Sequence, residues 1–314
     1  MADTITTTSQ IDPAVATTYD RVLLERAIPA LIYERFAQRR NLKRKSGNTI
    51  KFRRYTNLSV ANTPLRDDGL NPPGQQMAKT DLTATISWYG DFIHITDVVD
   101  LTVEDAELVE AAEMLGKQRG ETRDQLVRDV IVSTASVTNA SGGANGNTPT
   151  EMTKSDIEGV VLTLLGNNAK MTTPILKAGT GVGTAPVRAG FWGILDTDLL
   201  DDLGDVSDFR GVHEYPTGSG TADEWGSAGG VRWLYTSEGD STDGSPDTYR
   251  LPIIGANAYA VTDLEGAAEF IFHNFGSAGT TDPLNRKATS GWKEAFVCRI
   301  LNDNWIHCLN VSHS

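Results

Sequence analysis

The chain is short of the residues that staple, anchor or catalyse. Its 314 residues include only two cysteines, Cys298 and Cys308, too few for a disulfide framework. No apolar run approaches the roughly 18 residues of a membrane-spanning helix, and mean hydropathy is -0.28. Residues 1–20 lack the basic start and apolar centre of a secretory leader. No HExxH, GxSxG, Walker A or CxxC pattern occurs, which removes common signatures of zinc proteases, serine hydrolases, phosphate-cradling loops and redox or metal centres.

Acid is missing from one stretch in particular. From Arg35 to Arg66 there are ten basic side chains and no Asp or Glu. Residues 1–60 carry 11 Lys+Arg against 5 Asp+Glu, net +6, and the remainder carries 17 against 36, net -19, for a total of -13. A chain polarised in this way can bind nucleic acid through its basic end, or bind copies of itself, basic part against acidic part. The segment 35–66 lacks aromatic stacking platforms and any base-reading motif, which counts against the nucleic-acid reading. Contact with acidic surfaces of neighbouring copies is the reading the acidic bulk favours. A solvated basic face is the third alternative. The candidate intersubunit residues are Arg39, Arg40, Lys43, Arg44, Lys51, Arg53 and Arg54, with Asp67 and Asp68 as acidic counterparts near a loop tip.

The first 18 residues are Thr-rich and polar, a flexible arm with nothing to bury. Tyr19 to Gln38 carries Leu23, Leu24, Ala27, Leu31 and Phe36 at helical spacing around Pro29, which predicts a bent helix or two short ones. Ile50 and Phe52 then alternate with Lys51 and Arg53, and Leu82, Ala84 and Ile86 alternate with polar residues. Two half-apolar strands joined by a loop with Pro64, Gly69, Pro72, Pro73 and Gly74 predict a projecting hairpin. Alone in water such a hairpin is marginal, so its apolar face needs a partner.

A strand over WYGDFIHITDVV is followed by Thr102 and Asp105, a helix start, and an apolar stripe (Leu108, Ala112, Leu115, Thr122, Leu126, Val130, Val137) that predicts one long helix to about Thr138. SGGANGNTP breaks the chain at 141–149, and a second capped helix starts at Thr153 and Asp156. Strands are predicted over Gly190–Leu195, Val231–Thr236, Ala258–Thr262 and Phe270–Asn274, with loops over Thr217–Gly230 and Ser237–Pro246. The middle reads as a mixed α+β lobe inserted between the long helix and the C-terminal strands.

Other constellations are weak. Asp196, Asp198, Asp201, Asp202 and Asp205 lack the alternation, glycine and distal glutamate of a calcium loop, and read as a solvated helix face. Gly179, Gly181 and Gly183 do not open a helix after a strand. The C-terminal GWKEAFVCRILNDNWIHCLNV reads as a hairpin turning at Asn302 and Asp303; with a two-residue turn Cys298 and Cys308 point to opposite faces, while a three-residue loop would set them opposite each other. No cofactor, metal ligand set or catalytic residue is assigned.

The runs YDRVLLERAIPAL, GNTIKFRRYTNLSVANTPL, YGDFIHITDVVDLTVEDAELVEAAEMLGKQRGETRDQLVRDVI, YRLPIIGANAYAVTDLEG and TDPLNRKATSGWKEAFVCRILN, in that order, resemble the major capsid proteins of N4-type tailed bacteriophages. The likeness runs through nearly the whole chain from about Tyr19 and is weakest over Asn139–Asp208. It implies an α+β, HK97-like coat fold: N-terminal arm and helix (1–41), extended β-hairpin loop (42–87), peripheral domain (88–150) with a spine helix over 102–138, axial domain (151–285), and C-terminal strands (286–314) returning to the peripheral domain beside Tyr89–Val99. It implies a non-enzymatic protein that assembles with itself into hexamers and pentamers of an icosahedral shell. The shell would enclose double-stranded DNA without sequence-specific binding. A separate scaffolding protein, a portal and a decoration protein are implied partners, no membrane is involved, and the implied location is the virion capsid, assembled in the host cytoplasm. Some relatives crosslink through a loop lysine; Lys79 lies on this loop, and nothing in the sequence assigns it that chemistry.

Overall fold

The structure is a computed structural model that describes residues 5–7, 32–62, 74–97, 107–134, 136–141, 148–179, 184, 186–216, 220–244, 246–277 and 281–313. In chain order the strands are β1 (Ile5–Thr7), β2 (Gln38–Leu42), β3 (Thr49–Tyr55), β4 (Lys79–Thr85), β5 (Ser87–Thr96), β6 (Val137–Asn139), β7 (Phe191–Asp196), β8 (Arg210–Gly211), β9 (Glu224–Ala228), β10 (Val231–Thr236), β11 (Asp240–Thr242), β12 (Thr248–Ile254), β13 (Tyr259–Leu264), β14 (Glu269–His273), β15 (Lys287–Ile300) and β16 (Ile306–Ser312). The helices are α1 (Glu107–Val132), α2 (Lys154–Gly166) and α3 (Leu200–Gly204).

Two sheets carry the body. The first runs β1-β5-β15-β13-β2, with β14 also on β15; the second runs β6-β16-β12-β7-β10-β9-β8, with β11 on β12. The strand β7, FWGILD, is buried at every position, as expected of a central strand covered on both faces and paired in parallel with β10. Its alternate side chains feed two cores, following the two-residue period of a strand. Phe191 and Leu195 face a core closed by Ile157, Val160 and Leu164 of α2 and Leu203 of α3. Trp192 and Ile194 face the other side, where Val127 and Ile131 of α1 meet Tyr259, Val261 and Phe296 of the first sheet. Gly193 lies opposite Trp233 in register, and a Cβ there would sit 2.6 Å from the indole ring. The glycine makes room for the largest fully buried side chain.

The third sheet is the β3–β4 pair alone, in antiparallel register with Phe52 opposite Leu82 and Ile50 opposite Ala84. This is the arm that the alternating pattern predicts. The helix start expected at Thr153 is also present: the Thr153 N–H donates to Asp156 Oδ2 at 3.2 Å, tying down the first turn of α2.

Several expectations need correction. Of the helix expected over Tyr19–Gln38, residues 19–31 lie outside the described residues, while residues 32–37 form turns and Gln38 opens β2. The long helix closes at Val132, not near Thr138, because Val137–Asn139 pairs with β16. Its expected start at Thr102 lies outside the described residues. Its buried residues are Ala111, Ala112, Leu115, Gly116, Gly120, Arg123, Asp124, Val127, Ile131 and Val132, a face rotated from the apolar stripe because two charged residues point inward. Loops expected over Thr217–Gly230 and Ser237–Pro246 contain β9 and β11. The C-terminal hairpin does not form: β15 pairs with β5, β13 and β14, whereas β16 pairs with β12 and β6 in the other sheet. Of the two C-terminal strands, only β15 therefore lies beside β5. The connection Asp303–Trp305 is a short 3-10 turn that carries the chain from one sheet to the other.

Gly193→Ala is expected to overpack the Trp233 contact and to lower stability by about 1–3 kcal/mol, read as a lower urea midpoint with unchanged slope.

Candidate functional site

The basic segment is distributed by strand geometry rather than held as one patch. Arg39 and Arg40 are neighbours on the edge strand β2, so their side chains leave opposite faces. Arg39 lines a cavity of about 440 Å³ shared with Arg119, Arg123, Asp263 and Glu294. Arg40 lines a groove of about 400 Å³ between the arm and the body, together with Ile50, Lys51, Phe52, Arg53, Arg54, Leu82 and Trp305. Lys43 and Arg44 occupy the turn before β3, where Arg44 Nη2 donates to the Gly266 carbonyl at 3.3 Å. Arg53 is paired within its own arm: Nε donates to Asp81 Oδ1 at 2.8 Å and Nη2 to Oδ2 at 3.2 Å. That bidentate bond holds the Asp81 carboxyl below its ordinary value. Among the described residues, Arg40, Lys43, Lys51 and Arg54 make no ion pair. Asp67 and Asp68 lie outside the described residues.

The arm also exposes apolar surface. Val60 is 87% and Met77 76% exposed, and Tyr55 and Leu58 beside them are more than half exposed. Ser59 and Gln75 lock the two limbs together, the Ser59 N–H donating to Gln75 Oε1 at 2.7 Å and Gln75 Nε2 returning to the Ser59 carbonyl at 2.9 Å. The arm is thus internally ordered while its apolar outer residues stay largely exposed, a pattern typical of interaction surfaces.

Where the arm's base joins the body, charge is buried. Arg123 on α1 receives Glu34, Glu294 of β15 and Asp263 of β13: Nε donates to Glu34 Oε2 at 3.1 Å, Nη2 to Asp263 Oδ1 at 2.7 Å, and Nη1 to Glu294 Oε1. Arg119, one turn earlier, donates to Glu294 Oε2 at 2.7 Å, and Arg39 pairs with Glu34 at 3.3 Å. The Arg123 guanidinium also lies 4.6 Å from the Phe296 ring centre. The adjacent Asp124 accepts the Tyr33 N–H on Oδ1 at 2.9 Å, and Tyr259 Oη donates to the Tyr33 carbonyl. Phe36 stacks on Trp192 at 5.1 Å, and behind it Arg232 is held by both oxygens of Glu224 at 2.6 Å. Residues 32–37 are therefore clamped by both sheets and α1.

Sequence spacing does not reveal this cluster. Glu34, Arg123, Asp263 and Glu294 lie 89 to 171 positions apart in the bonded pairs of Arg123, and the signal available is a charged pair, Arg123-Asp124, interrupting a helical stripe. Three of the five aspartates of the acidic run are bonded within the fold: Asp196 accepts the N–H of Asp198 at 3.1 Å and of Gly239 at 3.0 Å, Asp198 accepts the Tyr249 hydroxyl at 3.0 Å, and Asp202 meets His313 at 3.1 Å. Cys298 and Cys308 are buried free thiols on different sheets, and burial pushes each up to about 12. Among the described residues, no group of His, Cys, Asp and Glu is arranged to hold a metal ion.

No protein-family model matches the chain, and no curated protein matches it in sequence. Solved structures do match in fold. The chain is similar to the Ralstonia phage GP4 capsid (TM-score 0.61, 10% identity, covering 89% of this chain and 87% of that one) and the cyanophage P-SCSP1u capsid (0.60, 11%, 90% and 89%). It is also similar to the head structure of Helicobacter pylori bacteriophage KHP40 (0.58, 12%, 88% and 87%). At such identities the likeness is one of fold: this chain has the mixed α+β fold of phage capsid chains.

Desolvation by burial lifts the Asp124 carboxyl from 3.8 to about 7, with the Tyr33 and Ile32 N–H groups pulling it down and Glu34 and Glu238 pushing it up. A folded-state pKa above the unfolded value gives stability that is complete below about pH 4 and declines as pH rises towards 7, by up to about 1.4 kcal/mol per pH unit. Asp124→Asn keeps an acceptor for Tyr33; it is expected to flatten that decline and to be more stable than the parent at pH 8, measured by urea titrations at fixed pH. Arg123→Met leaves Glu34 and Glu294 buried without their partner and is expected to cost about 3–5 kcal/mol, read in the same assay.

Proposed function

We propose that this chain is a major capsid protein of an N4-type tailed bacteriophage, with an HK97-like fold. It assembles into hexamers and pentamers of an icosahedral shell around double-stranded DNA. The observation that carries the reading is the β3–β4 arm: an ordered two-stranded element that leaves Tyr55, Leu58, Val60 and Met77 more than half exposed, and whose Lys51 and Arg54, with Arg40 of β2, line one groove without an ion pair among the described residues. A second copy supplies what the arm lacks, since residues 61–314 carry net -19. The fold likeness to phage capsid chains over almost the full length supports the same conclusion. In this reading the protein is structural, without catalysis or cofactor, and resides in the virion capsid after assembly in the host cytoplasm. A separate scaffolding protein and portal guide closure, a decoration protein binds outside, and DNA lies against the inner wall without sequence-specific contacts.

Charge pairing between copies sets orientation more than affinity, so assembly is expected to be salt-sensitive around 0.15 M, where the screening length is about 8 Å. Purified protein examined by velocity sedimentation and negative-stain microscopy is expected to give closed shells. A stable monomer that never forms particles, yet binds duplex DNA in a salt-sensitive way, would instead establish a nucleic-acid-binding role for segment 35–66. Arg54→Glu is the cleaner probe of the arm, because Arg53→Glu also breaks the pair with Asp81. It is expected to reduce particle yield at least several-fold while leaving the subunit's circular dichroism unchanged.

A further inference from the structure

In a chain of net charge -13, the groove between the arm and the body is lined by four cations and by no Asp or Glu. Asp81 engages Arg53 from within the arm. Arg40, Lys51 and Arg54 make no ion pair among the described residues. One wall is the edge strand β2, and the other is β3, which pairs only with β4. The chain passes from one to the other without pairing them, and the groove opens between. Gln38, Asn257 and Asn302 add side-chain amides that bond to nothing else among the described residues, while Phe52 and Trp305 add aromatic surface. Arg54 and Asn302 also line an adjoining cavity of about 470 Å³ together with Arg299, so the cationic surface continues. Its one carboxylate, Asp303, already accepts from Thr134 Oγ1 at 2.6 Å.

We propose that this groove binds a nucleoside triphosphate, whose phosphates take the cations that a second copy would otherwise engage. The binding site stands by itself; its effect on assembly rests on the coat-protein reading. A volume of about 400 Å³ suits one small ligand, since sites that enclose such ligands run from about 300 to 1,000 Å³. Three unpaired cations in that space call for a compact multiple anion. Guanidinium groups hold phosphate oxygens in bidentate pairs, and no carboxylate of the groove competes for them. Each amide offers both a donor and an acceptor, the pattern that the edge of a heterocyclic base presents in return. Aromatic faces accept any base by stacking. An acidic peptide spreads its charge along a backbone at about 3.3 Å per residue and matches so compact a set less well. While the ligand is bound, the arm lacks the charges that would orient it on a neighbour. Occupancy therefore acts as a brake on assembly, released when the nucleotide leaves.

The test is calorimetric titration of the full-length, unassembled chain with ATP in magnesium-free buffer, alongside tripolyphosphate, adenosine, oligothymidylate and polyglutamate. ATP is expected to bind, more weakly as salt rises, with tripolyphosphate several-fold weaker and adenosine weaker still. Arg40→Ala and Arg54→Ala are each expected to weaken ATP binding at least several-fold with unchanged circular dichroism. Lys177→Ala removes an exposed cation outside the groove and is expected to leave ATP binding as it was. Absence of ATP binding, an equal loss in all three variants, or tripolyphosphate binding as tightly as ATP overturns the inference. So does tighter binding of oligothymidylate or polyglutamate, which would make the groove a site for a strand or an acidic peptide. In particle formation followed by light scattering, saturating ATP is expected to slow the parent chain, and unslowed assembly overturns the brake. A chain that assembles yet binds no ATP sinks this inference alone. One that binds ATP but never forms particles sinks the coat reading, and the brake with it, while the site remains.

Discussion

A single buried guanidinium organises this molecule. Arg123 draws Glu34, Asp263 and Glu294 to one point on α1, and these residues come from the end of the N-terminal segment, from β13 and from β15. Ion pairs taken out of water gain nothing unless geometry and remaining hydrogen bonds are well satisfied. Here they are supported by Arg119, by Arg39 and by the Phe296 ring. The cluster's main effect is directional: it fixes where residues 32–37 lie, and from there β2 and the arm must follow.

The second sheet is built on the opposite logic. It takes apolar side chains on both faces, and β7 supplies both cores through simple alternation. The molecule thus combines a greasy, position-tolerant half with a charged joint that specifies a unique geometry. Under the proposed coat role that division is useful, since neighbouring copies would meet at the arm, whose base is held by the charged joint.

The strands and helices with local signals were legible in the sequence. Ile50, Phe52, Leu82 and Ala84 alternate and form the arm; Thr153 and Asp156 open α2 where expected; Val231–Thr236 is β10 to the residue. What was not legible depends on distant partners. Cys298 and Cys308 look like two limbs of a hairpin because each sits in an apolar strand close in sequence, yet β15 and β16 find their partners in different sheets. Nothing near Arg123 and Asp124 in sequence marks them as buried, because their partners, Glu34 and the Tyr33 N–H, arrive from another part of the chain. Arg39 and Arg40 look like one patch, and strand alternation sends them to different cavities. Local periodicity encodes elements; only tertiary pairing decides which charges go inside.

Both thiols are buried on separate sheets and hold their protons far above neutrality. Neither can readily attack a partner or be attacked by one. Disulfide chemistry is consequently not a route by which copies of the chain would be joined: under the proposed coat role, passage between a reducing and an oxidising medium would neither rivet the subunit to its neighbours through sulfur nor loosen it.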